Sequence, residues 1–259
     1  MDLQGKNILV TRAKAQASAL SLQIKKYGGN PVEMPLITCR AVVDKTDITK
    51  ELNLLHTYDW LVFTSKNGID FFFQEFRNSG KELSLLEKFK IAVVGTKTED
   101  ILEGYGLKAD LTPPLFVAES LLAALLKRVK KGENVLIARG SLARNVIGNG
   151  LRENDIFVTE LDVYETVIEM SSKAKLYELI KKSQIDVVTF TSSSTVDNFV
   201  RLLEGTDWRD YIDNLIFASI GPITTKEMKK HRLPVHTEPN QYTLQGMLET
   251  VMEKLKEEK

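Results

Sequence analysis

Small polar residues, glycines and arginines stand at the ends of short apolar runs all along this chain of 259 residues. Arg12 closes the run beginning at Ile8, and Thr64, Ser65 and Asn67 follow Trp60-Leu61-Val62-Phe63. Gly95 and Thr98 follow Ile91 to Val94, and Arg139 and Gly140 follow Val135-Leu136-Ile137. Ser192 and Ser193 follow Val187 to Phe190, while Gly221, Thr224 and Thr225 follow Ile216-Phe217-Ala218. Each of these turns leads into a helical pattern, whose first N–H groups and positive dipole end suit a carboxylate or a phosphate. Arg12 and Arg139 have the forked geometry that grips a carboxylate, and Lys66 and Arg144 add mobile cations. Any one serine or threonine would serve equally as a plain helix cap, and either arginine as a surface ion pair. Recurrence at every equivalent turn is what favours an anion-binding edge.

Other chemistries lack their residues. No G-x-G-x-x-G follows the first apolar run, and no G-x-x-x-x-G-K-[ST] occurs, so no nucleotide cofactor is expected. No Ser-His-Asp arrangement is inferable. The single cysteine, Cys39, excludes an intrachain disulfide and a cysteine-rich zinc site. His56, His231 and His236 are too scattered in sequence for a metal motif, so no metal is expected. Thirty-five basic residues balance 35 acidic ones, which argues against nucleic acid or a membrane surface as partner. A small anionic molecule, held by local donors, is the expected ligand. No signal-like or spanning segment is visible, and the expected compartment is the cytoplasm.

The elements that would position these residues are legible in the periodicity. Nearly continuous apolar runs alternate with amphipathic stretches at Ser18 to Tyr27, Asn67 to Phe76 and Thr98 to Tyr105. That alternation predicts an α/β fold with parallel sheets covered on both faces, whose ligands bind at the carboxyl ends of the strands. A chain of this length, 43% apolar and 27% charged, calls for two domains. The pattern is also written twice. Val10-Thr11-Arg12 matches Ile137-Ala138-Arg139, and Phe63-Thr64-Ser65 matches Phe190-Thr191-Ser192, both at an offset of 127. Gly95 matches Gly221 at 126, and helices at Ala118–Val129 and Thr243–Leu255 close the copies. Taken alone, the repeat suggests a contiguous split near Gly132.

In order and spacing these segments resemble the uroporphyrinogen-III synthase family over essentially the whole chain. The resemblance is carried by Val10-Thr11-Arg12, Phe63-Thr64-Ser65-Lys66-Asn67-Gly68, Val94-Gly95-Thr96-Lys97-Thr98 and Arg139-Gly140. Val163-Tyr164-Glu165-Thr166, Phe190-Thr191-Ser192 and Ile220-Gly221-Pro222-Ile223-Thr224-Thr225 complete it. It implies two doubly wound, flavodoxin-like parallel-sheet domains joined by a two-stranded linker. Residues 1–36 and 169–259 would form one domain and residues 43–162 the other, with linkers at 37–42 and 163–168. It implies cyclisation of hydroxymethylbilane to uroporphyrinogen III in an interdomain cleft, without a cofactor, through a spiro intermediate that inverts the last ring. The turn residues above become candidates for holding substrate carboxylates.

The resemblance also singles out Tyr164, whose repeat partner is Ile37, as the group that assists loss of the substrate hydroxyl; the other reading is a packing tyrosine at a domain boundary. Asn67 and Ile216 depart from relatives that carry a basic residue or a lysine there, so neither cation is essential to this account. A monomer is expected, with room for a transient contact with the preceding pathway enzyme. The competing class is a non-catalytic two-domain protein that binds a small anion, which would have no use for Tyr164.

Overall fold

The computed structural model describes residues 2–12 and 14–257. The chain opens with β1 (Asn7–Val10), α1 (Lys14–Lys26), β2 (Asn30–Glu33), β3 (Ile37–Ala41) and α2 (Thr46–Asn53). It continues through β4 (Trp60–Phe63), α3 (Lys66–Asn78), β5 (Lys90–Val93), α4 (Thr96–Gly104) and α5 (Ala118–Leu125). Then come β6 (Asn134–Gly140), α6 (Val146–Arg152), β7 (Phe157–Ile168), α7 (Ser172–Lys181) and β8 (Val187–Phe190). The order closes with α8 (Ser193–Leu202), β9 (Ile216–Ser219), α9 (Pro222–Lys230) and α10 (Leu244–Glu257).

Two compact units result, Met1–Thr38 with Val167–Lys259, and Cys39–Thr166. The first holds a four-stranded sheet in the order β2-β1-β8-β9. The other sheet runs β3-β7-β6-β4-β5. The chain passes between units inside β3 and β7. These strands run antiparallel: the Glu169 N–H donates to Leu36 O, Arg40 pairs with Glu165, and Cys39 lies beside Thr166.

The duplication holds in register as well as in sequence. Asn7 faces Asn30 as Asn134 faces Phe157; Ile8 faces Val187 as Val135 faces Trp60; Val187 faces Ile216 as Trp60 faces Lys90. Even the single bridges at the sheet margins correspond, Ala92 with Leu111 and Ala218 with Thr237. Neither unit is therefore one contiguous copy. The four-stranded sheet takes β1 and β2 from the first copy with β8 and β9 from the second; the five-stranded sheet takes β3, β4 and β5 from the first with β6 and β7 from the second.

Strand alternation explains why the apolar runs are unbroken. Leu61 and Phe63 of β4 enter one core cluster, with Phe72, Phe73 and Phe76 of α3, while Trp60 and Val62 enter a second under α5 and α6. In the first unit Leu9, Val188 and Phe217 face one cluster and Ile8, Val187 and Ile216 the other. Both faces of each sheet are dry, so both parities must be apolar. Two buried threonines are satisfied by the neighbouring strand: the Thr11 hydroxyl donates to Thr189 O at 2.8 Å and the Thr189 hydroxyl to Leu9 O at 2.7 Å.

At the amino ends of the second sheet, away from the turns of interest, one carboxylate ties three strands together. Glu133 accepts from Lys90 Nζ at 2.6 Å, Trp60 Nε1 at 2.9 Å and the Lys130 N–H at 2.8 Å. Burial pushes its pKa up, but these hydrogen bonds outweigh it and bring it from the ordinary 4.5 to about 2. A carboxyl depressed by folding stabilises the native state above its unfolded value and loses that contribution as pH falls toward its folded one. Glu133→Gln should therefore lower stability at pH 7 by about 1–2 kcal/mol, allowing for solvent screening. Urea unfolding should show the wild-type advantage shrinking between pH 4.5 and 2, the interval set by those two values.

Candidate functional site

In the unit spanning residues 39–166 the turn after β4 is held by its own serine. Ser65 is extended (φ −162°, ψ 159°) and its Oγ accepts from the Gly68 N–H at 3.0 Å, which caps α3. A Cβ on Gly68 would stand 3.0 Å from Ala138 O, so glycine lets the helix start press against the end of β6. Asn67 donates its amide to Cys39 Sγ at 3.1 Å, and Cys39 lies 3.7 Å from the Thr166 hydroxyl. Thr64 and Ser65 are half-buried at this edge.

Tyr164 arrives at the same place through a slip in register. Strands β6 and β7 pair residue for residue up to Arg139 and Asp162; then Val163 is skipped and Gly140 faces Tyr164. Val163 is thereby fully buried in the core while the tyrosine ring lies across Gly140. The approach is close enough that a Cβ on Gly140 would fall 2.6 Å from Cε2 and 2.8 Å from the phenol oxygen. Phe71 stacks on the ring at 5.5 Å, and the hydroxyl sits 3.4 Å from Ser65 Oγ. Tyr164, Ser65, Gly140 and Asn67 are thus brought together at the carboxyl ends of β4 and β6.

Arg139 is not presented to a ligand. Its guanidinium is 12% exposed and is engaged by Asp162 and Glu160, each at 2.9 Å, and by Asn145. The sequence held the clue: Glu160 and Asp162, two apart on the neighbouring strand, project on one face. Arg12, its repeat equivalent, lies half-buried just beyond β1.

In the other unit Ser192 caps α8, accepting from the Thr195 N–H at 3.3 Å, with Ser194 Oγ 3.1 Å away, and Ser193 opens the helix. The glycines behave differently. Gly95 begins α4 and Gly221 begins α9 with extended backbone, and no side chain caps either helix. Thr98 and Thr224 occupy equivalent buried places in those first turns. The Thr225 hydroxyl is bonded to Glu238, and in the other copy the partners are exchanged, with Thr112 donating to Glu99 at 3.0 Å. This clasp between a helix and the sheet margin gives Thr225 a structural task that its sequence position did not reveal.

His231, isolated in sequence, meets two carboxylates in space. Its Nε2 is 3.2 Å from Glu227 and 3.4 Å from Asp197, a trio of metal-capable groups. Both carboxylates already hold cations, Lys230 at 2.8 Å and Arg201 at 3.6 Å, and the Lys230 hydrogen bond holds Glu227 below its ordinary pKa. The group reads as a surface charge cluster. Among the described residues, no helix is long and apolar enough to cross a membrane.

A family model described as uroporphyrinogen-III synthase HemD matches residues 18–249. A uroporphyrinogen-III synthase of Synechococcus elongatus is 32% identical over 250 residues, covering 95% of this chain and 94% of that one. The chain belongs to the uroporphyrinogen-III synthase family. A porphyrin biosynthesis protein HemD of Ruminiclostridium josui is 30% identical over 251 residues, and there the chain spans about half of the relative, 49% of its length. Among solved structures, the Helicobacter pylori uroporphyrinogen-III synthetase shares the fold with a TM-score of 0.56 at 19% identity, covering 98% of this chain and 99% of that one. A mutant synthase of Thermus thermophilus does so with a TM-score of 0.53 at 16% identity, covering 97% and 99%. In this member of the family, the strand ends carry helix starts, hydroxyls, Tyr164 and Tyr242, and the Arg139 guanidinium is already paired.

Two stability measurements separate structural from ligand-facing residues here. Gly140→Ala should cost about 1–3 kcal/mol in denaturant unfolding, because its methyl group overlaps the Tyr164 ring. Arg139→Gln should cost about 1–2 kcal/mol, since it leaves the half-exposed Asp162 unpaired while Glu160 keeps Arg152.

Proposed function

We propose that this chain closes hydroxymethylbilane, a linear polycarboxylate, to uroporphyrinogen III with loss of water and inversion of the last ring. Membership of the family supports the reading, and the observation that carries it to chemistry is the Tyr164 hydroxyl held at the strand edge by Gly140 and Ser65. Loss of the hydroxyl from the first ring leaves an electrophilic azafulvene. The last pyrrole attacks through its substituted carbon, and the resulting spiro intermediate fragments and recloses inverted. Once the hydroxyl has left, the substrate supplies its own reactivity, so the protein's contribution is chiefly positioning.

Tyr164 is the proposed acid: its phenol donates to the departing hydroxyl, while Ser65 Oγ, 3.4 Å away, steadies the phenol oxygen. Uncapped first turns at Gly95 with Thr98 and at Gly221 with Thr224 are the proposed carboxylate sites, with Thr64, Asn67, Ser192 and Ser193 beside them. The enzyme so read is a cofactor-free cytoplasmic monomer.

Enzymatically made hydroxymethylbilane, with the product isomers resolved, tests the reaction. Isomer III should form faster than the spontaneous background; formation of isomer I alone at the uncatalysed rate would end the proposal. Tyr164→Phe should slow cyclisation by roughly ten- to a hundredfold, the usual scale for one acid group. An unchanged rate in a folded Tyr164→Phe protein would remove the tyrosine from the mechanism.

A further inference from the structure

An aromatic ring lies over each of the two glycines that start α4 and α9. A Cβ on Gly95 would stand 2.8 Å from Phe116 Cγ, and one on Gly221 would stand 3.0 Å from Tyr242 Cδ1. Neither glycine is needed for its dihedral angles, since φ is 177° and 166°, ordinary extended values. What each permits is close approach of the base of an aromatic side chain to the backbone. Yet the rings are not core residues: Phe116 is 58% exposed and Tyr242 61%. The base of each side chain abuts the helix start while more than half of the residue is open to solvent, which is costly for a phenylalanine unless something covers it.

The arrangement occurs once in each unit, at the same offset of 126 that relates Gly95 to Gly221. Around the rings the copies have diverged, Pro114-Leu115-Phe116-Val117 against Asn240-Gln241-Tyr242-Thr243. The flanking side chains changed class and the aromatic did not. Both rings also sit on the loop that follows the marginal bridge of the sheet, at Leu111 or Thr237, and so at the carboxyl ends of the strands. There they adjoin the two helix starts that no side chain caps, unlike α3 and α8, whose cap serines already accept from their own helices.

We propose that Phe116 and Tyr242 each give their own unit a stacking surface for a pyrrole ring that bears carboxylate arms. This inference rests on the proposed function. A pyrrole bears both an aromatic face and carboxylate arms, and each glycine–aromatic pair offers a matching face beside a positive helix end. Stacking fixes ring orientation, which hydrogen bonds to flexible carboxylate arms do not. In a reaction whose outcome is the inversion of one ring, orientation decides the product.

The test uses the full-length enzyme with enzymatically made hydroxymethylbilane, reading KM, kcat, isomer ratio and thermal midpoint. Phe116→Leu and Tyr242→Leu should each raise KM about tenfold, near the upper end for one aromatic contact, and increase the share of isomer I. Phe116→Tyr and Tyr242→Phe keep the ring and should stay within about twofold of wild type. Leucine variants that fold and leave both KM and isomer ratio unchanged would overturn the inference, and so would conservative variants as impaired as the leucine ones. Should a leucine variant fail to fold, Gly95→Ala or Gly221→Ala keeps the ring but displaces it; an unchanged KM there also overturns the proposal. A wild-type enzyme that makes no isomer III refutes the proposed function instead, and is recognised before any variant is assayed.

Discussion

Parallel pairing of β1 with β8 and of β4 with β6 is the interaction on which the rest of the structure depends. Each pair lies at the middle of its sheet and joins strands from different copies of the repeat. The identical register of the two seams gives each sheet the same arrangement of turns at its carboxyl edge. Without the seams neither copy has a sheet with two covered faces, and its strands, apolar at both parities, would lie exposed. Burial on both sides, by Phe63 with the α3 phenylalanines or by Phe190 with Phe199 and Phe217, holds the seams together.

From that constraint follows the position of every polar turn. The strands are short and parallel, so their carboxyl ends fall at one edge of each sheet, and the helices after them start there. The two copies use this edge in two ways. Serine at the start of α3 and α8 closes the helix on itself, whereas glycine at the start of α4 and α9 leaves the backbone open and admits a ring. The helix starts along each edge thus differ in whether a cap side chain accepts from them.

The copies differ at Tyr164, whose repeat partner is Ile37. The one-residue shift between β6 and β7 sends Val163 inward and Tyr164 across Gly140. The clasp of Glu99 with Thr112 against Thr225 with Glu238 shows the contrasting case, where both partners changed and the bond survived. Structural contacts tolerate exchange because only the pair matters.

The sequence by itself determined the α/β class, the duplication and the recurrence of small polar residues at strand ends, because these depend on local periodicity and on comparison of one segment with another. It also carried the family motifs that drew attention to Tyr164. Only the tertiary structure decided which side chains are available. Arg139 looked equivalent to Arg12, yet Glu160 and Asp162 on the neighbouring strand consume it. Thr225 looked like a free first-turn hydroxyl, yet Glu238 holds it. Phe116 and Tyr242 carry no motif of their own, yet they lie exposed against glycines 21 positions earlier. The reason is the same in each case: availability is set by what approaches from another strand or loop, and a chain's local pattern records its own conformation but not its neighbours in space.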